Sequence, residues 1–159
     1  MSGISLVIDA DDFDAALAKL APIFDFDAPE LMTAIGALGE SQTRRRISEE
    51  KTAPDGTPWQ ENNEGTSILV ETGQHLLASI TWASSADEAE WGATWEWAHV
   101  HQDGMTIVPK NAKALVFSIG GKTIHAKKVT IPARPFLGLS EDNRQEIIDV
   151  VTDVFGALQ

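Results

Sequence analysis

The sequence predicts an α+β fold: a mixed or antiparallel β-sheet with helices packed mainly on one face, plus a long polar loop and a β-hairpin. Three observations point there. Apolar residues recur at helical spacing before residue 50 and again after residue 140. Between residues 80 and 131 the pattern is mostly that of strands. Within that region Gly120-Gly121 separates two strand-like runs, which is a tight hairpin signal. At 159 residues the chain is expected to form one domain, residues 1–159, large enough to bury roughly two-thirds of its unfolded surface.

Taken in order, Ile4, Leu6, Val7 and Ile8 read as an opening strand. Asp9, Asp11 or Asp12 then caps a short helix whose Phe13, Ala16, Leu17 and Leu20 fall at i, i+3, i+4 and i+7. A longer helix is expected from about Ala28–Glu30, with Pro29 at its first position and a stripe of Leu31, Ile35, Leu38 and Gln42 that Ile47 extends. Gly36 and Gly39 each cost that helix about 1 kcal/mol against alanine, and the close approach of another backbone would account for them. Arg44-Arg45-Arg46 lies towards its C-terminal end, either as a solvated face favoured by the helix dipole or as a salt-bridging patch toward an acidic neighbour.

From Thr52 to Ser67 the composition turns polar, with one embedded tryptophan, Trp59, and a turn signal at Asp55-Gly56. A structureless loop of this length is uncommon in a compact domain, and an indole seeks an apolar surface and a partner for its N–H. Residues 68–80 suggest a short apolar segment, a turn, and a helical turn or strand. Strands are expected at Ile80–Ala83, Glu90–Trp95, Met105–Val108, Ala114–Ile119 and Thr123–Ile131, with a short helix over residues 96–102. Ile131-Pro132-Ala133-Arg134-Pro135-Phe136-Leu137-Gly138 is a stiff extended connector, because two prolines three residues apart forbid helix. Ser140 then caps a last helix that buries Ile147, Val150, Val151, Val154 and Phe155.

The formal net charge is −12, and it is uneven. Residues 1–40 hold eight acids and one base, and residues 141–159 five acids and one base. From Met105 to Arg134 there are six bases (Lys110, Lys113, Lys122, Lys127, Lys128 and Arg134) and no acid. A general electrostatic nucleic-acid binder is not expected from so acidic a chain. An acidic surface keeps a protein soluble and could also let DNA pass without sticking. There is no cysteine, which excludes disulfides, thiol catalysis and Cys-based zinc sites. No apolar run approaches the ~20 residues of a membrane span, and the N-terminus does not read as a signal peptide.

Little in the sequence points to catalysis. No nucleophile elbow, Walker loop or dinucleotide fingerprint occurs, and the carboxylates do not form an acid–base pair in an apolar setting. His99 and His101 form an H-x-H pair that would share one face of a strand, with Asp103 nearby, but the spacing matches no zinc or iron pattern. No catalytic residue, metal or cofactor is therefore expected. Trp91, Trp95 and Trp97 share parity, so a continuous strand would place them on one face, in the core or partly at a subunit interface.

Three further stretches, together with the connector, carry a family resemblance. Pro54-Asp55-Gly56-Thr57-Pro58-Trp59 resembles the P-D-G-x-P-W loop of the phage virion morphogenesis family, the Mu-like tail-completion or head–tail joining group. Leu69-Val70-Glu71-Thr72-Gly73 through Ser79-Ile80 is similar to its L-x-[DE]-T-G…S-I segment. Trp97-Ala98-x-x-His101-Gln102-x-Gly104 resembles its aromatic-A-x-x-H-Q-x-G motif, with tryptophan where tyrosine is usual. The connector with Ser140-Glu141-Asp142 resembles its I-P-A-R-P-F-L-G-L-S/T-x-x-D/E signature. Asp103 departs from the pattern, where an apolar or aromatic residue is common.

The resemblance implies a non-enzymatic structural protein of virion morphogenesis that completes the tail and joins it to the head. It implies a homo-oligomeric ring, with a hexamer as the expected form, at the neck or tail end. Partners would be the tail tube and head–tail connector proteins, with DNA passing through unbound and no membrane. The protein would reside in the virion, and in the host cytoplasm during assembly. Trp59 as loop anchor, Arg134 as a salt bridge and Phe136 as an apolar plug are the expected interface residues. The alternative is an acidic DNA-mimicking inhibitor of a host DNA-binding enzyme, and an H-x-H metalloenzyme ranks third.

Overall fold

The computed structural model describes residues 3–9, 27–70 and 75–156. The helix expected over residues 13–20 lies outside them. Strand β1 (Ile4–Asp9) opens the described fold. Helix α1 (Ala28–Arg45) starts where Asp27 accepts a hydrogen bond from the Glu30 amide at 3.0 Å, with Pro29 in the first turn. It runs directly into a π-helical turn, Arg46–Glu50, and ends at Lys51, whose left-handed backbone (φ 57°) stops the helix. The Lys51 ammonium donates to the carbonyls of Ile47 and Ile68, the latter at 2.8 Å, and burial lowers its pKa.

After the short helix α2 (Leu76–Ser79) come β2 (Ile80–Ser84) and β3 (Glu88–Ala93). They form an antiparallel sheet in the order β1-β3-β2. Its register pairs Trp91 with Leu6 on one side and Trp82 on the other. Helix α1 packs across β2 and β3, and this contact explains its two central glycines. A Cβ on Gly36 would stand 2.7 Å from the Trp82 ring, and one on Gly39 would stand 2.2 Å from the Trp91 ring. What approaches the helix is thus a pair of indoles and not the expected backbone, because the cross-strand tryptophans stand up from the sheet.

The remaining elements are α3 (Ala98–Asp103), β4 (Met105–Ile107), β5 (Leu115–Ile119), β6 (Lys122–Ala126), β7 (Val129–Ile131) and α4 (Glu141–Gly156). The strands expected after residue 100 do not join the first sheet. β4 pairs with β7 and β5 with β6, as two separate antiparallel ribbons. The single strand expected over 123–131 breaks at Lys127-Lys128, where the chain changes partners. No residue from 105 to 131 is buried.

The tryptophan alternation also fails as a face. β3 ends at Ala93: the Thr94 amide (3.0 Å) and hydroxyl (3.2 Å) still donate to Ser79, the next position in register, but the chain then turns, with the Ala98 amide donating to the Trp95 carbonyl (3.1 Å). Trp91 is in the core, Trp95 stacks between His75 and His101, and Trp97 is 53% exposed. One apolar cluster holds Ile8, Leu31, Ile35, Ile47, Ile80, Trp91, Phe136 and Ile147, so it spans sheet, α1, connector and α4. Among the described residues, no helix is long and apolar enough to cross a membrane.

Candidate functional site

The connector lies where three parts of the chain meet, and each part grips its backbone. Its prolines hold residues 132–136 extended, which leaves the intervening amides and carbonyls free to be bound from outside. The end of α3 supplies the first grip. The His101 carbonyl accepts from the Arg134 amide at 2.7 Å. Gln102 then uses its whole carboxamide: Oε1 accepts from the amides of Phe136 and Leu137, both at 3.1 Å, and Nε2 donates to the Leu137 carbonyl at 3.1 Å. A side chain that mimics a peptide group in this way adds one rung of pairing to an otherwise unpaired segment.

The second grip comes from the polar loop, which is ordered by its own hydrogen bonds. Ala53 and Thr57 pair (2.8 Å), the Gly56 amide donates to Ala53 (2.9 Å), Asp55 accepts from the Thr57 amide (2.9 Å), and Trp59 donates to Lys51 (2.9 Å). Accepting from the backbone and side chain of Thr57 lowers the Asp55 pKa. This tight turn aims Trp59 inward, and its indole N–H donates to the Pro135 carbonyl at 3.1 Å. Arg134 returns the contact, donating to the carbonyls of Gln60 (2.9 Å) and Glu61 (3.3 Å). Gly138, at φ 151°, passes so near Pro54 that a Cβ there would lie 2.5 Å from the proline ring.

The third grip is Arg46, at the start of the π-helical turn and 1% exposed. Its guanidinium donates to the carbonyls of Phe136 (3.2 Å) and Gly138 (2.8 Å) and to Asn143 Oδ1 (2.5 Å). Burial lowers its pKa, an effect opposed by Glu50, whose carboxylate lies 3.7 Å from Nε. Asn143 in turn completes a reciprocal cap with Ser140: the Asn143 amide donates to Ser140 Oγ (3.2 Å) and the Ser140 amide to Asn143 Oδ1 (3.3 Å). One asparagine thus links α4's first turn to α1.

Of the expected interface residues, Trp59 is 6% exposed, Arg134 6% and Phe136 0%. The structure brings all three together, but inside the subunit. The hydrogen bonds that Arg134 makes go to backbone carbonyls and not to a carboxylate, since the loop it faces presents its main chain. Any contact with a neighbour would come through the surface these side chains hold in place.

Arg46, Gln102 and Asn143 were not singled out by the sequence. Arg46 had a signal, for the stripe through Leu31, Ile35 and Gln42 reaches it at the next i+4 step. The arginine run serves neither of its two expected purposes as a unit. Arg44 donates to the carbonyls of Leu77 (2.8 Å) and Ile80 (2.6 Å), and Arg45 pairs with Glu50 and Glu146, both at 2.9 Å.

His99 and His101 sit on helix α3, where an i, i+2 spacing turns them to different sides. His99 Nδ1 lies 2.9 Å from the Glu96 carbonyl, while His101 stacks on Trp95 with its own Nδ1 buried and without a hydrogen-bond partner. No group of three or more candidate metal ligands occurs among the described residues. Burial, and then the charge of Arg134, lower the His101 pKa. The unfolded chain, with an imidazole near 6.5, therefore takes up the proton first on acidification. The stabilisation is fully present above about pH 6.5 and is lost as pH falls through the lower folded value. His101→Gln should flatten the loss of stability as pH falls below about 6.5 in denaturation measurements, and an unchanged pH slope would refute the assignment.

The segments that grip one another here, residues 54–59, 101–102 and 134–143, contain most of the stretches that carried the resemblance. The model of the phage virion morphogenesis family matches residues 8–156. The chain belongs to the phage virion morphogenesis family. A relative, Mu-like prophage FluMu G protein 2 of Haemophilus influenzae, is 31% identical over 153 residues, covering 94% of each chain. No solved structure matches. For this virion morphogenesis protein, three of the four family stretches meet in a clasp that binds its own backbone. What such an arrangement does chemically is position a connector and the helix after it.

Proposed function

We propose that this virion morphogenesis protein is a structural component that completes the tail and joins it to the head, acting as a homo-oligomeric ring at the neck or tail end. The observation that carries the reading is the family match over residues 8–156, with three of the four family stretches committed to holding the connector. A rigid subunit suits a part that must present the same surface to each of several neighbours. The reading places it in the virion, against tail-tube and connector proteins, with DNA passing through a ring of acidic subunits unbound. The DNA-mimic alternative is disfavoured by the segment from Met105 to Arg134, which holds six bases and no acid.

Deletion of the gene from its phage or prophage tests this. Electron microscopy of induced lysates should show filled heads and separate tails, with infectivity restored by supplying the protein in trans. Normally joined, infectious particles from the deletion strain would overturn the proposal.

A further inference from the structure

The segment 105–131 is folded but has no core of its own. β5 and β6 make a two-stranded ribbon whose one face carries Leu115, Phe117, Ile119 and Ile124, all only half-buried. On the other face Val116 is 61% exposed. The ribbon's turn is pinned to the polar loop, where the Gly120 amide donates to Glu64 at 2.7 Å. An isolated two-stranded hairpin is marginal in water unless something packs on it. Around this apolar strip stand Lys110, Lys113, Lys122, Lys127 and Lys128, all exposed, and none makes an ion pair within the described residues.

A complementary surface lies elsewhere on the same chain. A groove of about 480 Å³ runs between β1 and α4, with Val7 and Ile148 exposed in its walls. Its apolar lining includes Leu6 and Ile147, and Glu141 and Arg144 are its charged members. On α4, about 100–140° around from Ile148 and outside the groove, Asp142, Asp149 and Asp153 form an exposed stripe at helical spacing. No ion pair engages them among the described residues.

We propose that the β5–β6 ribbon of one copy docks over the β1–α4 groove of the next copy and across the exposed crest of its α4, its apolar strip covering Val7 and Ile148 and its lysines reaching over the helix to the aspartate stripe. This rests on the reading of the protein as a self-assembling ring and names the two surfaces that meet. Charge complementarity selects the occupant: all 24 acids of the chain lie outside the lysine-bearing segment, so another copy is an acidic partner for it. Ribbon and groove are different patches, so the contact is head-to-tail and closes into a ring when its rotation allows.

Charge exchange in the full-length protein tests the proposal, read by sedimentation velocity over a concentration series, with circular dichroism melting to confirm folding. Lys122→Glu/Lys127→Glu/Lys128→Glu and, separately, Asp149→Lys/Asp153→Lys should each raise the assembly midpoint by at least about tenfold. The protein carrying both sets should recover assembly, and so should an equimolar mixture of the two variants, since each then offers the other a matched surface. Assembly of the wild type that neither set disturbs would overturn the docking while leaving the ring intact. A wild type that stays monomeric at all concentrations, and with its tail partner present, would overturn both. Loss of affinity for a short DNA duplex in the lysine variant, with assembly unchanged, would assign the ribbon to nucleic acid and refute docking.

Discussion

Arg46→Ala should destabilise the protein by about 4 kcal/mol, measured as a lower urea midpoint at unchanged slope. The estimate follows from what the guanidinium leaves behind. Two connector carbonyls and Asn143 Oδ1 lose a buried donor, at about 1–3 kcal/mol each, less what water entering the vacated space restores. Arg46→Lys should recover only part of the loss, because an ammonium keeps the charge but lacks the planar fork that reaches several acceptors at once. A loss below about 1 kcal/mol for the alanine variant would show that the guanidinium is not what holds the connector.

Gly39→Ala should cost about 3 kcal/mol, although alanine is the better helix former by about 1 kcal/mol. The added methyl would lie 2.2 Å from Trp91 Cδ2 and 2.3 Å from Cε2. The indole is 1% exposed and paired in register with Trp82, so neither ring nor helix can yield without disturbing the sheet. A double-mutant cycle isolates this cause. Trp91→Leu should cost clearly less in the Gly39→Ala background than in the wild type. Strictly additive losses would place the glycine's importance elsewhere.

How much of this could be read in advance depended on whether the cause was local. Ser140 was legible as a cap because its partner sits three residues away. The hairpin turn at Gly120-Gly121 was legible because both glycines take positive φ, 54° and 76°. The α1 stripe was legible through Ile47, but the residue just before it was read by its charge. Whether a basic side chain turns outward or is buried against carbonyls 90 and 92 residues away is decided by tertiary structure, which periodicity does not encode. The same holds for Gln102, whose carboxamide gains its meaning from backbone 34 and 35 residues further on. Parity misled at Trp95 and Trp97, since it presumes a strand where the chain already turns toward α3, the Ala98 amide donating to the Trp95 carbonyl. Trp59, Arg134 and Phe136 were each read as interface residues, and that the fold instead gathers and buries them is a matter of how the loop closes over the connector.

The clasp also has a consequence for biosynthesis. Every acceptor of the Arg46 guanidinium belongs to residues 136–143, and the carbonyl that holds Trp59 is residue 135. While the ribosome is still translating the strands, the Arg46 guanidinium has Glu50 beside it but none of its hydrogen-bond acceptors, and the Trp59 indole lacks the carbonyl that holds it. Only when residues 135–143 have been synthesised can the polar loop close. Closing contacts of such long sequence separation form late in folding. A prematurely terminated polypeptide therefore lacks the finished surface, and a particle that adds subunits by shape would reject it without a separate proofreading step.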